Sequence, residues 1–345
     1  MSYIIDAYRR ETPMQRRFSS VALYISLFPQ LIAGPIVRYH DIARQIVTRD
    51  ADATLTVSGI RRFLIGLAKK MLIANPMGQA ADTVFALPET EVSFALAWFG
   101  ILCYALQIYF DFSGYSDMAI GLGRMFGFRF LENFNYPYTA RSLQDFWRRW
   151  HISLSSWFRD YLYIPLGGNR VGPLRTYVNL FAVFFLCGLW HGASWNFVLW
   201  GIIHGWFLVL ERAGLSGVLA RLWWPLQHAY TLLVVCIAWV FFRAEELPQA
   251  LSYVGAMLGL GDASPIEGGL QMLMYAPDTF SAFLFGLLFS TPVYLEFSRR
   301  FAIPLQVGRP VLYMTTQTLF IVALFFLVLL AVVSTTYNPF IYFRF

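Results

Sequence analysis

The chain has few charged residues for its length. Asp, Glu, Lys and Arg make up 13% of its 345 residues, whereas a typical soluble domain is about 25% charged. Lysine is nearly missing: the sequence contains two lysines, Lys69 and Lys70. A sequence that is 58% hydrophobic cannot cover a globular surface with polar groups, which excludes a soluble enzyme, a disordered protein and a collagen-like fibre. The composition predicts an all-α, polytopic integral membrane protein.

Cysteine is also rare, and several familiar catalytic motifs are missing. Cys103, Cys187 and Cys236 each lie in an apolar run. Their odd number and wide spacing argue against a disulfide framework, a zinc site or a CxxC redox pair. No P-loop, G-x-G-x-x-G, H-E-x-x-H or G-x-S-x-G motif occurs in the sequence, so nucleotide-binding, zinc-protease and serine-hydrolase functions lack support. We predict no bound metal and no bound cofactor.

The net charge of +6 is compatible with two kinds of partner. A basic protein can bind nucleic acid. In a chain this apolar, cytoplasmic loops that follow the positive-inside rule give the same excess of arginine. We therefore predict a lipid bilayer as the surrounding medium and no nucleic-acid partner.

Apolar runs predict the membrane segments. The run at 21–37 contains Pro29 and Pro35, which predicts a broken or re-entrant helix. Residues 60–73 mix basic and apolar residues at helical spacing, as in a helix that lies at the interface. Together with the longer runs, we count roughly eight segments in one integral domain, residues 1–345. The longer runs are 92–110, 177–190, 197–210, 230–242, 281–297 and 312–333.

Polar residues inside apolar runs mark candidate functional positions, because burying an ionisable group in a membrane is costly unless it is paired. One cluster ends the run at 92–110, and Asp111 is a candidate for substrate or donor binding. Asp117 and Arg124 are seven residues apart, which predicts an ion pair within one helix. The cluster consists of Gln107, Asp111, Ser113, Ser116 and Asp117.

A second cluster lies at 145–161. On one continuous helix the aromatic side chains form one face, and Arg148, His151, Ser155 and Arg159 form the other. Such a helix is compatible with floating at the interface and equally with placing His151 in a water-filled cavity. Arg148 and Arg159 suit the phosphates of an acyl donor, but positive-inside anchoring explains them as well.

A third cluster, Gly188 to Asn196, places His191 and Asn196 between two apolar runs. A buried histidine can act as a general base towards a hydroxyl group, and hydrogen-bonded packing is the alternative. His204 follows thirteen residues later. On a continuous helix it would be about 20 Å from His191, so we expect it to lie outside the site.

These segments resemble the membrane-bound O-acyltransferase family, and within it the bacterial branch that acetylates exported polysaccharides such as alginate. The resemblance covers essentially the whole chain, and its motifs are long and ordered. They lie at 31–35, 109–123, 132–138, 146–155, 159–170, 188–193 and 339–343.

The resemblance implies a fold, a site and a reaction. The fold is a ring of tilted and re-entrant helices around a transmembrane tunnel. His191 of the Trp-His-Gly motif is implied to be catalytic, with His151 as the second active-site residue. An acetyl donor such as acetyl-CoA or another acyl thioester enters from the cytoplasm, and Arg148, Ser155, Arg159, Asn196 and Asp111 are candidates for donor or substrate binding. We expect a multi-pass protein of the bacterial inner membrane.

The resemblance also implies partners. They are the polysaccharide acceptor and a periplasmic or membrane-anchored protein that resembles an acetyltransferase or esterase. Family members begin with additional hydrophobic helices, so we expect this chain to lack them. Teichoic acid, peptidoglycan or a lipid is the alternative acceptor. A proton-coupled transporter and a non-catalytic scaffold are alternatives from other functional classes.

Overall fold

The computed structural model describes residues 2–31, 34–49, 52–260, 276–335 and 337. Within these ranges every regular element is a helix, which confirms the all-α prediction. Of the sequence stretches that carry the resemblance, residues 32–33 and 339–343 lie outside the described residues. The helices are α1 (Ser2–Tyr8), α2 (Phe18–Ser26), α3 (Tyr39–Val47), α4 (Ala53–Ala68), α5 (Asn75–Phe85), α6 (Phe94–Met125), α7 (Leu143–Trp147), α8 (Ile152–Phe158), α9 (Pro173–His191), α10 (Trp195–Leu210), α11 (Ser216–Leu219), α12 (Trp224–Arg243), α13 (Leu247–Met257), α14 (Pro277–Phe289), α15 (Val293–Phe297), α16 (Ile303–Gly308) and α17 (Pro310–Ser334).

Helix α6 is the central element. It has 32 residues and is therefore about 48 Å long, which exceeds the thickness of the hydrocarbon core of a bilayer. Ser93 caps its first turn by accepting a hydrogen bond from the backbone N–H of Leu96. Most of its side chains are buried, because α4, α5, α12 and α13 all pack against it.

Helix α4, which covers much of the predicted interfacial helix at 60–73, packs along α6 in the antiparallel direction. Two glycine pairs, Gly59 with Gly121 and Gly66 with Gly114, lie at the contact. A Cβ atom at Gly66 would lie 2.5 Å from the carbonyl oxygen of Gly114, so a larger residue there would separate the two helices. A π-helical segment, Lys69–Ala74, continues α4 into α5.

Five helices are long and apolar enough to cross a membrane: α6, α9, α10 with its continuation to Leu219, α12 and α17. A sixth crossing is formed if α14 and the helical segment Val293–Gly308, which meet at a bend of 67°, count as one. In the described part of the chain these crossings correspond to the six longer apolar runs; the predicted figure of about eight also counts the broken run at 21–37 and the helix at 60–73. The run at 21–37 is broken after α2, as predicted. Helix α17 is largely exposed and has a mean hydropathy of 2.6, as expected of a helix that faces lipid.

The two ends of the helix bundle differ in charge. Near the N-terminus of α6 lie four glutamates, in the turns before α6 and after α12. Near the C-terminus of α6, and at the corresponding ends of α4, α9, α10 and α12, arginines predominate. The glutamates are Glu89, Glu91, Glu245 and Glu246, and the arginines are Arg49, Arg61, Arg62, Arg124, Arg129, Arg170, Arg175, Arg212 and Arg221.

Candidate active site

His151 lies in a sharp turn rather than on a continuous helix. Helix α7 ends at Trp147 and α8 begins at Ile152, and His151 between them has φ +43° and ψ +56°. This left-handed conformation is uncommon for a residue other than glycine. The predicted single helix at 145–161 is therefore wrong, and the turn points the imidazole into the protein, where His151 is 3% exposed.

One asparagine holds this turn in place. The side-chain oxygen of Asn133 accepts hydrogen bonds from the backbone N–H of Ser153 at 3.1 Å and from the Ser153 hydroxyl at 2.9 Å. The backbone carbonyl of Asn133 accepts from the N–H of Ile152 at 2.9 Å. Its side-chain nitrogen donates to the Ser116 hydroxyl on α6 at 3.1 Å. Asn133 thus ties the turn to the central helix.

The same asparagine fixes the tautomer of His151. Nδ1 of His151 lies 3.1 Å from the side-chain oxygen of Asn133, which already accepts from Ser153 and so acts as an acceptor here. Nδ1 must carry the proton, which leaves a lone pair on Nε2. Burial lowers the pKa of His151, and His191 lowers it further, so the ring is neutral at physiological pH. A neutral imidazole with a free Nε2 lone pair can accept a proton.

His191 is the last residue of α9, and it is partly exposed. Helix α10 returns antiparallel to α9 after a short turn that begins at Gly192. Gly188 faces Gly201 across this hairpin, and a Cβ atom on Gly188 would collide with the carbonyl oxygen of Phe197. The two helices can therefore pack closely only because these positions lack side chains.

Aromatic rings connect the two histidines. The His191 ring lies 5.0 Å from Trp200, Trp200 lies 6.2 Å from Trp239, and Trp239 lies 5.0 Å from Trp150. Trp150 immediately precedes His151. His151 and His191 are also close enough for their charges to interact. The two motifs, forty residues apart in the sequence, thus meet in one part of the structure.

Helix α10 contacts both the segment that carries His151 and the helix that carries His191. The Glu211 carboxylate, at the end of α10, accepts hydrogen bonds from the backbone N–H groups of Leu143 at 2.6 Å and Gln144 at 3.0 Å. These two residues begin α7, which leads to His151. Nε1 of Trp147 donates to Nδ1 of His204 on α10 at 3.3 Å. Since α10 also packs on α9, it fixes the position of His151 relative to His191.

His204 is closer to the site than the sequence predicts. The predicted separation of about 20 Å assumed a continuous helix, but α9 ends at His191 and α10 starts at Trp195. The chain reverses there, and the Trp200 ring lies 5.0 Å from both His191 and His204. His204 is fully buried. It therefore belongs to the packing around the site, contrary to the prediction that it lies outside it.

Three of the residues predicted to bind donor do not share a face with His151. Arg148 and Arg159 are exposed, and Arg159 pairs with the neighbouring Asp160 at 2.6 Å. The Ser155 hydroxyl donates to the backbone carbonyl of Trp150 at 3.3 Å. The turn at His151 separates these side chains from the imidazole, and their role in donor binding stays a prediction.

The two other predicted binding residues have structural partners. The side-chain nitrogen of Asn196 donates to the backbone carbonyl of Ala244 at 2.8 Å, which joins the start of α10 to the end of α12. Asp111 is 1% exposed and forms an ion pair with Lys70 at 2.8 Å. These contacts explain both residues as links between helices, and a role in binding is not tested by them.

The ion pair predicted between Asp117 and Arg124 does not form. Asp117 pairs instead with Arg62 at 2.5 Å and with Lys69 at 2.7 Å, both on the neighbouring α4 segment. Arg124 donates to the Ser58 hydroxyl at 2.8 Å. The charges of this region therefore connect helices, which a spacing rule for a single helix cannot show.

Sequence reasoning missed Asn133 and Glu211. Asn133 is 1% exposed and Glu211 is 3% exposed, and each holds the backbone of the His151 segment. Asn133 lies inside the 132–138 stretch that carries the family resemblance, so its position in a motif was a usable signal. Glu211 directly follows an apolar run, and its one usable signal in the sequence was a carboxylate at the end of a predicted helix. In the described residues no group of three or more His, Cys, Asp and Glu side chains could hold a metal ion.

Comparison with known proteins decides the family. The model of MBOAT, the membrane-bound O-acyltransferase family, matches residues 15–242. The chain belongs to the membrane-bound O-acyltransferase family. This match includes His151, His191, Asn133 and Glu211, so the whole arrangement described above lies inside the family region.

Individual relatives are similar over long stretches. A protein named probable alginate O-acetylase AlgI from Pseudomonas putida is 42% identical, over 100% of this chain and 73% of its own length. A protein of the same name from Pseudomonas aeruginosa is 49% identical over 76% of this chain, but over 50% of its own length. A peptidoglycan O-acetyltransferase from Helicobacter pylori is 44% identical over 72% of this chain and 48% of its own length. The chain thus spans between about half and three quarters of these relatives.

Proposed function

We propose that this chain is the membrane-embedded acyltransferase of a system that O-acetylates an exported polysaccharide. The family and the names of its relatives support acyl transfer to hydroxyl groups. The observation that carries the proposal is the convergence of His151 and His191 on one aromatic cluster, with the His151 imidazole kept neutral by burial and its tautomer fixed by Asn133. This is an arrangement for moving a proton rather than for binding a metal.

The reaction needs one proton acceptor and no covalent enzyme intermediate. A histidine takes the proton from the acceptor hydroxyl as its oxygen attacks the thioester carbonyl. The new C–O bond forms, the C–S bond breaks, and the departing sulfur receives the proton. We assign the proton transfer to His191, as the sequence predicted. We assign to His151, whose Nε2 can also accept a hydrogen bond, the positioning of the hydroxyl group.

The different charges at the two ends of the helix bundle support an assignment of each end to one side of the membrane. The arginine-rich end suits the cytoplasm, where an acyl thioester such as acetyl-CoA is available. His191 lies at the end of α9 that faces the glutamate-rich turns, and Asn196 beside it contacts Ala244 there. We propose that the polysaccharide, or a periplasmic partner that carries the acetyl group onward, is reached from this end. The inner membrane of a bacterium is the corresponding location.

Substitution of His191 tests the proposal. His191→Gln keeps much of the side-chain size and its hydrogen-bonding capacity but cannot exchange a proton near neutral pH. A general base contributes about 10²–10⁴-fold to rate, so acetylation should fall below detection at normal protein abundance. The measurement is the acetyl content of the exported polymer, in the native host without its own copy of the gene, with the membrane level of each variant alongside.

A matched control is available in the same chain. His40 is 44% exposed and pairs with Asp6 and Asp41, away from α9 and α10, so His40→Gln should leave acetylation near the wild-type level. Near-normal acetylation by His191→Gln would instead remove the general-base assignment. Loss of activity in both variants would indicate a general defect in folding.

A second acceptor has specific support. The relative from Helicobacter pylori is a peptidoglycan O-acetyltransferase and is about as similar to this chain as the alginate O-acetylases. Measuring O-acetyl groups in peptidoglycan and in exported polysaccharide from the same His191→Gln cells separates these acceptors, since only the true product loses its acetyl groups.

A further inference from the structure

A polar cleft lies away from the histidines, at the arginine-rich end of the bundle. It has a volume of about 320 Å³ and lies between the start of α4 and the end of α6, with Phe130 at one wall. Arg124 lies eight residues beyond Ser116 on α6, which is about 12 Å along the helix. The cleft is therefore separate from the network around Asn133.

Two arginines face this cleft without a carboxylate partner. Arg124 and Arg129 both line it, and within the described ranges neither forms an ion pair of 4.0 Å or less. Arg124 interacts with the positive charges of Arg62 and Arg129 and with the negative charges of Glu132 and Asp117. A bound anion would add direct partners for the two arginines of the cleft, because each guanidinium can donate two hydrogen bonds to it.

The cleft also contains hydroxyl groups and a fixed backbone. Thr54 and Ser58, four residues apart on α4, line it, and Ser58 already accepts a hydrogen bond from Nη1 of Arg124 at 2.8 Å. The backbone N–H of Arg129 donates to the side-chain oxygen of Gln45 at 2.7 Å. Asp52 also lines the cleft, and its carboxylate caps α4 by accepting from the N–H of Leu55. The cleft thus combines two arginines and two hydroxyl groups with one carboxylate that is already hydrogen-bonded.

We propose that this cleft binds a phosphate group. Two arginines beside two hydroxyls match the geometry of a phosphate, which accepts several charge-assisted hydrogen bonds at once, and the volume suits a headgroup or a small phosphorylated molecule. Because the cleft lies at the end assigned to the cytoplasm, the phosphate comes either from an anionic lipid of the inner leaflet or from a soluble phosphorylated ligand. The proposal does not depend on the acyl-transfer reaction.

Thermal unfolding of the purified full chain distinguishes the two sources. In one arm the protein is placed in nanodiscs of phosphatidylcholine with increasing fractions of phosphatidylglycerol. In the other arm it stays in pure phosphatidylcholine nanodiscs, and adenosine 3′,5′-bisphosphate or inorganic phosphate is added. A rise in the unfolding midpoint in the first arm alone identifies a lipid, and a rise in the second arm alone identifies a soluble ligand.

Variants connect the response to the cleft. Arg124→Gln and Arg129→Gln should each raise the ligand concentration for half the response about 10-fold, which is the usual scale for losing a charged hydrogen-bond partner. Arg124→Lys keeps the charge and should retain part of the response, which shows that loss of folding is not the cause. Arg309→Gln removes another exposed arginine and should behave as wild type. Equal responses of wild type and the Arg124→Gln, Arg129→Gln double variant in both arms, or no response in either, would overturn the proposal.

Discussion

Aromatic rings surround both histidines, and at His151 hydrogen bonds to Asn133 add to this packing. His151 lies in a left-handed turn whose backbone N–H groups and ring Nδ1–H donate hydrogen bonds to Asn133. His191 lies at a helix end and is surrounded by the rings of Trp190, Trp200 and Phe242 at 4.8–5.1 Å. Hydrogen bonds specify direction and protonation, whereas packing specifies position. Substitutions that remove polar groups around His151 should therefore lower catalytic activity. Substitutions that change side-chain volume around His191 should lower the stability of the fold.

Among the substitutions that alter how the histidines are held, Asn133→Leu should have the largest effect on activity. It keeps the size of the side chain but removes the acceptor for Nδ1 of His151 and for the N–H of Ser153, so the tautomer and the turn are both lost. We expect acetylation to fall about 10²-fold, measured as polymer acetyl content per amount of membrane protein. Asn133→Asp keeps the acceptor oxygens and should retain more activity than Asn133→Leu.

The control for this substitution is an asparagine at the surface. Asn169 is exposed and accepts a hydrogen bond from the Tyr163 hydroxyl, so Asn169→Leu should leave acetylation close to wild type. If Asn133→Leu acetylates normally at normal abundance, the orientation of His151 does not depend on Asn133 and the tautomer assignment is wrong.

Glu211→Gln should weaken the link between α10 and the start of α7, which leads to His151. The amide keeps the shape of the side chain, but one of the two N–H groups, of Leu143 or Gln144, loses its acceptor. An unpaired buried N–H costs about 1–3 kcal/mol, and relaxation of α7 would relieve that cost by moving His151. We expect acetylation to fall about 10-fold with little change in abundance. Glu89→Gln, at an exposed glutamate, is the comparison, and equal activity of the two variants would show that Glu211 does not position α7.

His204→Leu should lower stability before it lowers activity. The substitution leaves Nε1 of Trp147 without its acceptor and alters the packing against Trp200. The expected loss is about 1–3 kcal/mol, visible as a lower unfolding midpoint and reduced membrane abundance. Activity per amount of folded protein should fall much less than in Asn133→Leu. A variant with normal abundance and absent activity would place His204 among the reacting groups instead.

The sequence predicted the helical membrane protein because composition alone decides that question. It also identified both histidines, since their motifs are long. It could not predict the turn at His151, because the aromatic spacing at 146–161 fits a continuous helix and the left-handed residue is imposed by Asn133 from another segment. For the same reason His204 was misplaced: a three-residue reversal after His191 changes a separation along one helix into a contact across a hairpin.

Charge pairing was the other limit of prediction. Spacing rules for helices describe neighbours on one helix, and so they paired Asp117 with Arg124. The actual partners are Arg62 on α4 and Lys69 in the π-helical segment that continues it, and the close approach of α4 depends on glycines at the contact. Predicting those partners required knowing which helices pack together, which single-sequence periodicity does not contain.

Substitution of Asp160, which follows the His151 segment just after the end of α8, should have the smallest effect on stability. Its carboxylate accepts hydrogen bonds from Arg159 at 2.6 Å and from Arg38 at 2.7 Å. Partial burial acts to raise the pKa of Asp160, but the hydrogen bonds from Arg159 and Arg38 outweigh it and hold that pKa below its usual value. A partly exposed pair of this kind is worth about 1 kcal/mol or less. Asp160→Asn should therefore lower the unfolding midpoint only slightly at neutral pH.

The pH dependence of that small effect follows from the direction of the shift. Because the folded-state pKa is depressed, the stabilisation is fully present above the unfolded aspartate pKa of about 3.9 and is lost as the pH falls through the lower folded value. The difference in unfolding midpoint between wild type and Asp160→Asn, measured in detergent, should be constant between about pH 7 and pH 5 and should shrink below about pH 4. A difference that grows on acidification would mean that Asp160 is stabilised in its protonated form and that the contact with Arg38 does not hold the N-terminal segment against the His151 region.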